Sequence, residues 1–133
     1  MKYAILALRV LLGLTFVVFG LNHFLKFIPM ENPSLPPAAA NFASALGSSG
    51  YLNAVKVFEI SGGVLLVTGI LVPLGLVLLT PVLVNIVCFD VFLMQKPGLG
   101  MFLLAVAIYL IWAYRPYFQA LFTVHAQPVV KGK

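Results

Sequence analysis

Lys56 to Gly69 reads KVFEISGGVLLVTG. The stretch is oily enough to lie in hydrocarbon, yet it opens on a lysine and sets Glu59 one helical turn later. What that carboxylate does depends on the solvent the chain expects. The 133 residues are 62% hydrophobic and 8% charged, with a mean hydropathy of +1.11. Soluble domains use roughly 45–50% apolar and about 25% charged residues. The composition is that of an integral membrane protein, and the length suits one domain, residues 1–133, holding about four spans of about 20 residues.

Four apolar runs follow from this: about residues 4–28, 54–72, 74–94 and 101–118. Each can cross a hydrocarbon core of about 30 Å as a helix, which satisfies its own backbone hydrogen bonds in lipid. The expected fold is all-α, an integral membrane four-helix up-down bundle. Val72, Pro73, Leu74 and Gly75 predict a tight turn between the second and third spans, and Lys96, Pro97, Gly98 and Gly100 another between the third and fourth. The one long connection, Pro29 to Asn53, calls for structure of its own. Ser34 near an N-cap, Pro36 and Pro37 in a first turn and Gly47 as a stop predict a short helix in this outer loop, with Phe42, Ala45 and Leu46 on one face.

The formal charge is +5, but the basic residues stand singly among apolar runs and form no nucleic-acid patch. Membrane lipid phosphates are the expected counter-ions. The start MKYAILALRV has the look of a secretory signal, but its apolar stretch is too long and Arg9 interrupts it. The small-x-small pattern at Ala43 to Ala45 also lies well past its end, so the segment is expected to be retained. Lys2, Arg115, Lys131 and Lys133 fall on one side of a four-span chain and Lys26, Lys56 and Lys96 on the other. The excess of positive charge predicts both termini in the cytoplasm of a multi-pass protein. Cys88 is the only cysteine. It permits neither an internal disulfide nor a CxxC pair, so any redox chemistry draws on a bound cofactor or a partner.

The polar residues cluster toward one side. His23 and Lys26 end the first span, Lys56 and Glu59 begin the second, and Asp90 lies near the end of the third. Counting about 1.5 Å per residue puts His23, Glu59 and Asp90 at one level in the outer half of the membrane. Glu59 is then either an ion-pair partner that holds helices together or one wall of a ligand or proton site, the default for an ionisable residue inside a membrane. Lys56 can extend outward, so the local pair alone does not explain the glutamate's depth. The site reading takes Glu59 and Asp90 as proton-exchanging groups and His23, Lys26, Lys56 and Asn22 as ligand contacts. The types of Glu59, Asp90 and His23 suit iron or manganese, but no ExxH or HExxH spacing supports a metal and the nearby lysines repel one. Arg9 lies in the opposite half, away from every acidic residue. It either reaches phosphates or turns inward toward Asn85, Tyr109 or a ligand's oxygens. Arg9, Gly13, Phe16, Gly20, His23 and Phe27 repeat at fours and threes as one stripe. Tyr109, Trp112, Tyr114 and Tyr117 form an expected interfacial belt.

The run RVLLG from Arg9 to Gly13, then Phe16 and Gly20, and FEISGGVLLVTG from Phe58 to Gly69 resemble the DoxX family of small bacterial four-span membrane proteins. Where that family usually carries a lysine after a glycine near the end of the first span, this chain has His23 within GLNHFLKF. The resemblance covers the whole chain in layout and implies a bacterial plasma-membrane protein. Some family members are similar to a subunit of a thiosulfate:quinone oxidoreductase and others are associated with resistance to quinones or oxidative stress. The resemblance therefore implies a quinone or related lipophilic small molecule as ligand, and a place in a quinone-linked oxidoreductase or stress-resistance system. Two other classes stay open: a non-catalytic anchor for a soluble oxidoreductase partner, and a small exporter or lipid-binding protein working as a homo-oligomer.

Overall fold

The computed structural model describes residues 1–29 and 34–130, so Lys131 and Lys133 of the charge count lie outside the described residues. The chain is all-α. Helix α1 is Lys2–Leu25, α2 Pro37–Ser48, α3 Tyr51–Thr68, α4 Val72–Cys88 and α5 Leu99–Ala113. A π-helical turn, Phe89–Leu93, continues α4, and two 3-10 turns, Arg115–Tyr117 and Gln119–Phe122, follow α5. Among the described residues three helices are long and apolar enough to cross a membrane: α1, α3, and α4 with its π turn. Helix α5 is apolar but only 15 residues long, about 22 Å at the α-helical rise.

Several boundaries differ from the sequence reading for local reasons. Helix α1 ends at Leu25 because Lys26 turns into the left-handed region (φ 52°) and donates its N–H to Asn22 O. Asn22 Oδ1 then accepts the N–H of Ile28 at 2.8 Å, and Phe27, beyond the helix, leaves the stripe and is exposed. The α3–α4 reversal falls at Gly69 (φ 76°) to Leu71 (φ 53°), earlier than the expected Val72–Gly75. Pro73 sits in the first turn of α4, where its missing N–H costs no helical bond. Helix α5 stops at Ala113, short of the expected 118, because Pro116 disfavours α-helical geometry at Arg115. In α2 the inward residues are Ala39, Ala43 and Leu46. Phe42 rests on Phe89 with ring centroids 5.8 Å apart, so α2 lies over α3 and the π turn.

Helix α3 is central, packed on α1 and α4, while α5 packs on α4 and closes against α1. Neighbours run antiparallel. Glycines set the spacing: a Cβ on Gly63 would lie 2.7 Å from Gly13 O, and one on Gly13 would lie 2.7 Å from Gly63 O. On the other face of α3, a Cβ on Gly62 would meet the Leu79 side chain at 2.7 Å and Gly75 O at 3.2 Å. Such small-residue contacts let backbones approach and gain dispersion where lipid removes the hydrophobic drive. Leu12, Phe16, Leu66, Leu76, Leu79, Leu83, Val106, Ala107 and Leu110 fill the interior. Leu11, Leu14, Phe19, Val64, Val77, Phe102 and Ile108 point outward, the arrangement of a chain whose solvent is apolar.

Candidate functional site

Glu59 is buried at 3% exposure, with Gly62 of the same helix facing α4 and Gly63 facing α1. Its Oε2 accepts from Lys56 Nζ at 3.0 Å, and the lysine side chain keeps 20% of its surface. Three residues separate the two on α3, so both lie on one face. The lysine carries the pair outward into an open cavity of about 720 Å³ lined by Phe19, Asn22, His23, Lys26, Ile28, Pro29, Leu52 and Lys56. This hollow sits between the end of α1 and the start of α3. Gly20 allows it: with no side chain there, α1 approaches Ile60 and the Lys56 carbonyl just beneath the opening.

The cavity's polar groups are held differently. His23 Nε2 donates to Asn53 Oδ1 at 2.8 Å, which fixes the ring by a contact across helices. Asn22 is buried and its Oδ1 is engaged by the Ile28 amide, which leaves Nδ2 as the donor it can offer. Lys26 is exposed at the rim, held there by the turn that ends α1. The site is thus rich in donors, with apolar walls from Phe19, Ile28 and Leu52. Such a lining suits a flat apolar molecule with carbonyl-type oxygens.

Asp90 is placed elsewhere. Its carboxylate lies against the turn before α5, where a Cβ on Gly98 would fall 2.5 Å from Oδ2 and one on Gly100 3.2 Å. Its carbonyl accepts the Lys96 amide at 3.0 Å, and it does not line the cavity. Extending the register set by Gly62 against Leu79 and Gly75 brings Asp90 level with the first turn of α3, on the order of 10 Å from Glu59 along the bundle. The expected single level for the two carboxylates is therefore corrected: the reversal at Gly69 to Leu71, earlier than expected, offsets α4 against α3. Asn85 also stands apart. It is exposed and donates Nδ2 to Pro81 O at 3.0 Å on its own helix, so it is not the partner of Arg9. Arg9 Nη1 instead donates to Tyr114 Oη at 3.2 Å.

Two residues that matter here escape the sequence reading. Asn53 reads in the sequence as the end of a loop, although it precedes Lys56 by one helical turn. Tyr114 reads in the sequence as one of several belt aromatics, although an up-down order already brings the end of the last helix beside the start of the first.

Residues 4–95, from α1 through the π turn, match the sequence model of the DoxX family. The chain belongs to the DoxX family. No curated protein and no solved structure matches it. The DoxX match spans every residue that lines the cavity and stops before α5, so Arg9 lies inside it and Tyr114 outside.

Proposed function

We propose that this DoxX-family protein spans the bacterial plasma membrane four times in up-down order with both termini in the cytoplasm, and that its outer cavity binds a quinone or related lipophilic small molecule. The observation that carries the reading is the Lys56–Glu59 pair: a carboxylate at 3% exposure whose 3.0 Å partner opens into a donor-rich cavity. A pair serving only to hold helices together needs no such opening, and this one lies on a single helix.

The ligand would bring a ring with two oxygens able to take up protons. His23, held by Asn53, and Asn22 Nδ2 orient those oxygens, while Phe19, Ile28 and Leu52 cover the ring. Lys56 is the donor that can reach both the cavity and Glu59; a proton it gives to a ligand oxygen is regained from water at the cavity mouth, where the lysine side chain keeps 20% of its surface, and Glu59 holds the ammonium in place. Electrons come from the ligand or a partner oxidoreductase, since Cys88 is alone. Lipophilic molecules extracted from gently purified protein and identified by mass spectrometry test this reading. Wild-type protein is expected to retain a quinone-type species, and Glu59→Gln and Lys56→Gln to fold but retain several-fold less. Equal retention in all three would leave the pair as packing polarity alone.

A further inference from the structure

The other end of the bundle holds a cation that the outer cavity does not use. Arg9 stands two turns into α1. A Cβ on Gly69 would lie 3.0 Å from its Nη2, so the guanidinium rests directly on the α3–α4 turn. Nη1 donates to Tyr114 Oη at 3.2 Å, and Nε is buried without a hydrogen-bond partner. A guanidinium has five N–H donors and cannot discard its charge. Among the described residues no carboxylate pairs with it: Glu59 is bound by Lys56 and Asp90 lies against Gly98 at the opposite end. A charge left so inside an apolar segment calls for a counter-ion that the described residues do not supply.

A hollow of about 440 Å³ adjoins it, lined beside Arg9 by Lys2, Tyr3, Ile5 and Leu6 of α1 and by Ala113 and Tyr114 at the end of α5. Lys2 and Arg9 are seven residues apart and share a helix face, with Lys2 at the rim and Arg9 about 10 Å deeper. Tyr3 at 82% and Leu6 at 43% exposure flank the opening, so the hollow faces sideways, toward acyl chains. Tyr114 accepts from Arg9 and keeps its own hydroxyl proton free to donate.

We propose that this hollow seats the phosphate of an anionic phospholipid. Arg9 is its forked donor, Tyr114 Oη a second donor, and Lys2 the cation at the rim, while the acyl chains lie along the apolar wall. Phosphate geometry matches the guanidinium fork. A free inorganic phosphate shares that chemistry but would shed its water against Ile5 and Leu6 with nothing in return. The proposal rests on the helices lying in a membrane and is independent of what the outer cavity binds.

The test titrates the full-length protein in neutral detergent with phosphatidylglycerol, with phosphatidylcholine and with inorganic phosphate, reading thermal stabilisation and retained lipid by native mass spectrometry. Wild-type protein is expected to prefer phosphatidylglycerol by roughly tenfold or more. Arg9→Gln should abolish that preference, and Lys96→Gln, a cation at the opposite end, should leave it intact. If Arg9→Gln does not fold, Lys2→Gln on an exposed residue and Tyr114→Phe each decide the matter by lowering the preference several-fold. Equal binding of the two lipids by wild type, an unaltered preference in Arg9→Gln, or, should that variant not fold, in both Lys2→Gln and Tyr114→Phe, would overturn the proposal. So would inorganic phosphate stabilising the protein as well as the lipid does.

Discussion

Gly63→Ala should loosen the contact on which both ends of the bundle depend. The added methyl carbon would lie 2.7 Å from Gly13 O, 2.9 Å from Val17 Cγ2 and 3.1 Å from Val17 N. Ordinary contact begins at 3.4 Å, so the nearest atom falls 0.7 Å short, and that atom is backbone and cannot rotate away. Helix α1 must therefore shift bodily from α3. Overpacking of this kind costs about 1–3 kcal/mol, against which alanine returns about 0.5–1 kcal/mol of helix propensity, leaving a net loss of up to about 2 kcal/mol. Gly47→Ala is the internal control, since nothing lies within 4 Å of a Cβ there. Within α2 the same chemical change should stabilise by up to about 1 kcal/mol. Gly13→Ala should cost what Gly63→Ala costs, and the double variant less than the two together, because the gap opened by the first methyl admits the second. Reversible unfolding in mixed detergent micelles, titrated with a denaturing detergent, measures all four. A Gly63→Ala protein as stable as Gly47→Ala would refute the close approach of α1 and α3, and strict additivity in the double variant would refute its reciprocity.

Asp90→Asn separates the two carboxylates: it is expected to leave lipophilic-ligand retention near the wild-type value while Glu59→Gln lowers it, and parallel losses would return Asp90 to the cavity. Orientation is tested in a Cys88→Ser background, where Ser48→Cys should react with an impermeant thiol reagent in intact cells and His125→Cys should not; the opposite labelling pattern would invert the topology.

Much of the fold was legible because it follows from patterns within single helices. The apolar runs, the stripe from Arg9 to His23 and the paired glycines of α3 each report a face, and faces are what helical periodicity encodes. Glu59 was legible as buried because a carboxylate flanked by Ile60, Gly62 and Gly63 has no solvent face to occupy. Axial offset between helices is another matter. Counting rise from the span ends sets Asp90 beside Glu59 only if neighbouring spans begin in one plane. The left-handed residues Gly69 and Leu71 break that assumption, and neither alters the hydropathy pattern. Asn85 misled for a related reason: its amide is satisfied by Pro81 O on the same helix, a contact that needs no neighbour. Arg9 and Tyr114 lie 105 residues apart, and their pairing depends on α5 stopping at Ala113.

The middle of the bundle bears on the export reading. Leu66, Leu79, Leu83 and Leu110 are fully buried there, and α1, α3 and α4 are drawn together by Gly13, Gly62, Gly63 and Gly75 at distances that would exclude even a methyl group. The Lys56 cavity and the Arg9 hollow lie on opposite sides of this layer, so a solute moving from one to the other within a single chain would have to part helices whose backbones already touch. Binding at either end requires no such parting, because Phe19 beside the first and Leu6 beside the second are exposed to the surrounding phase, and a lipophilic ligand can enter laterally. Export would instead need a path between copies of the chain, with a rate that rises more steeply than protein density in the membrane. Flux in vesicles reconstituted so sparsely that each holds one chain would contradict this packing argument, whereas ligand retention that persists at the same dilution is what a site within one chain requires.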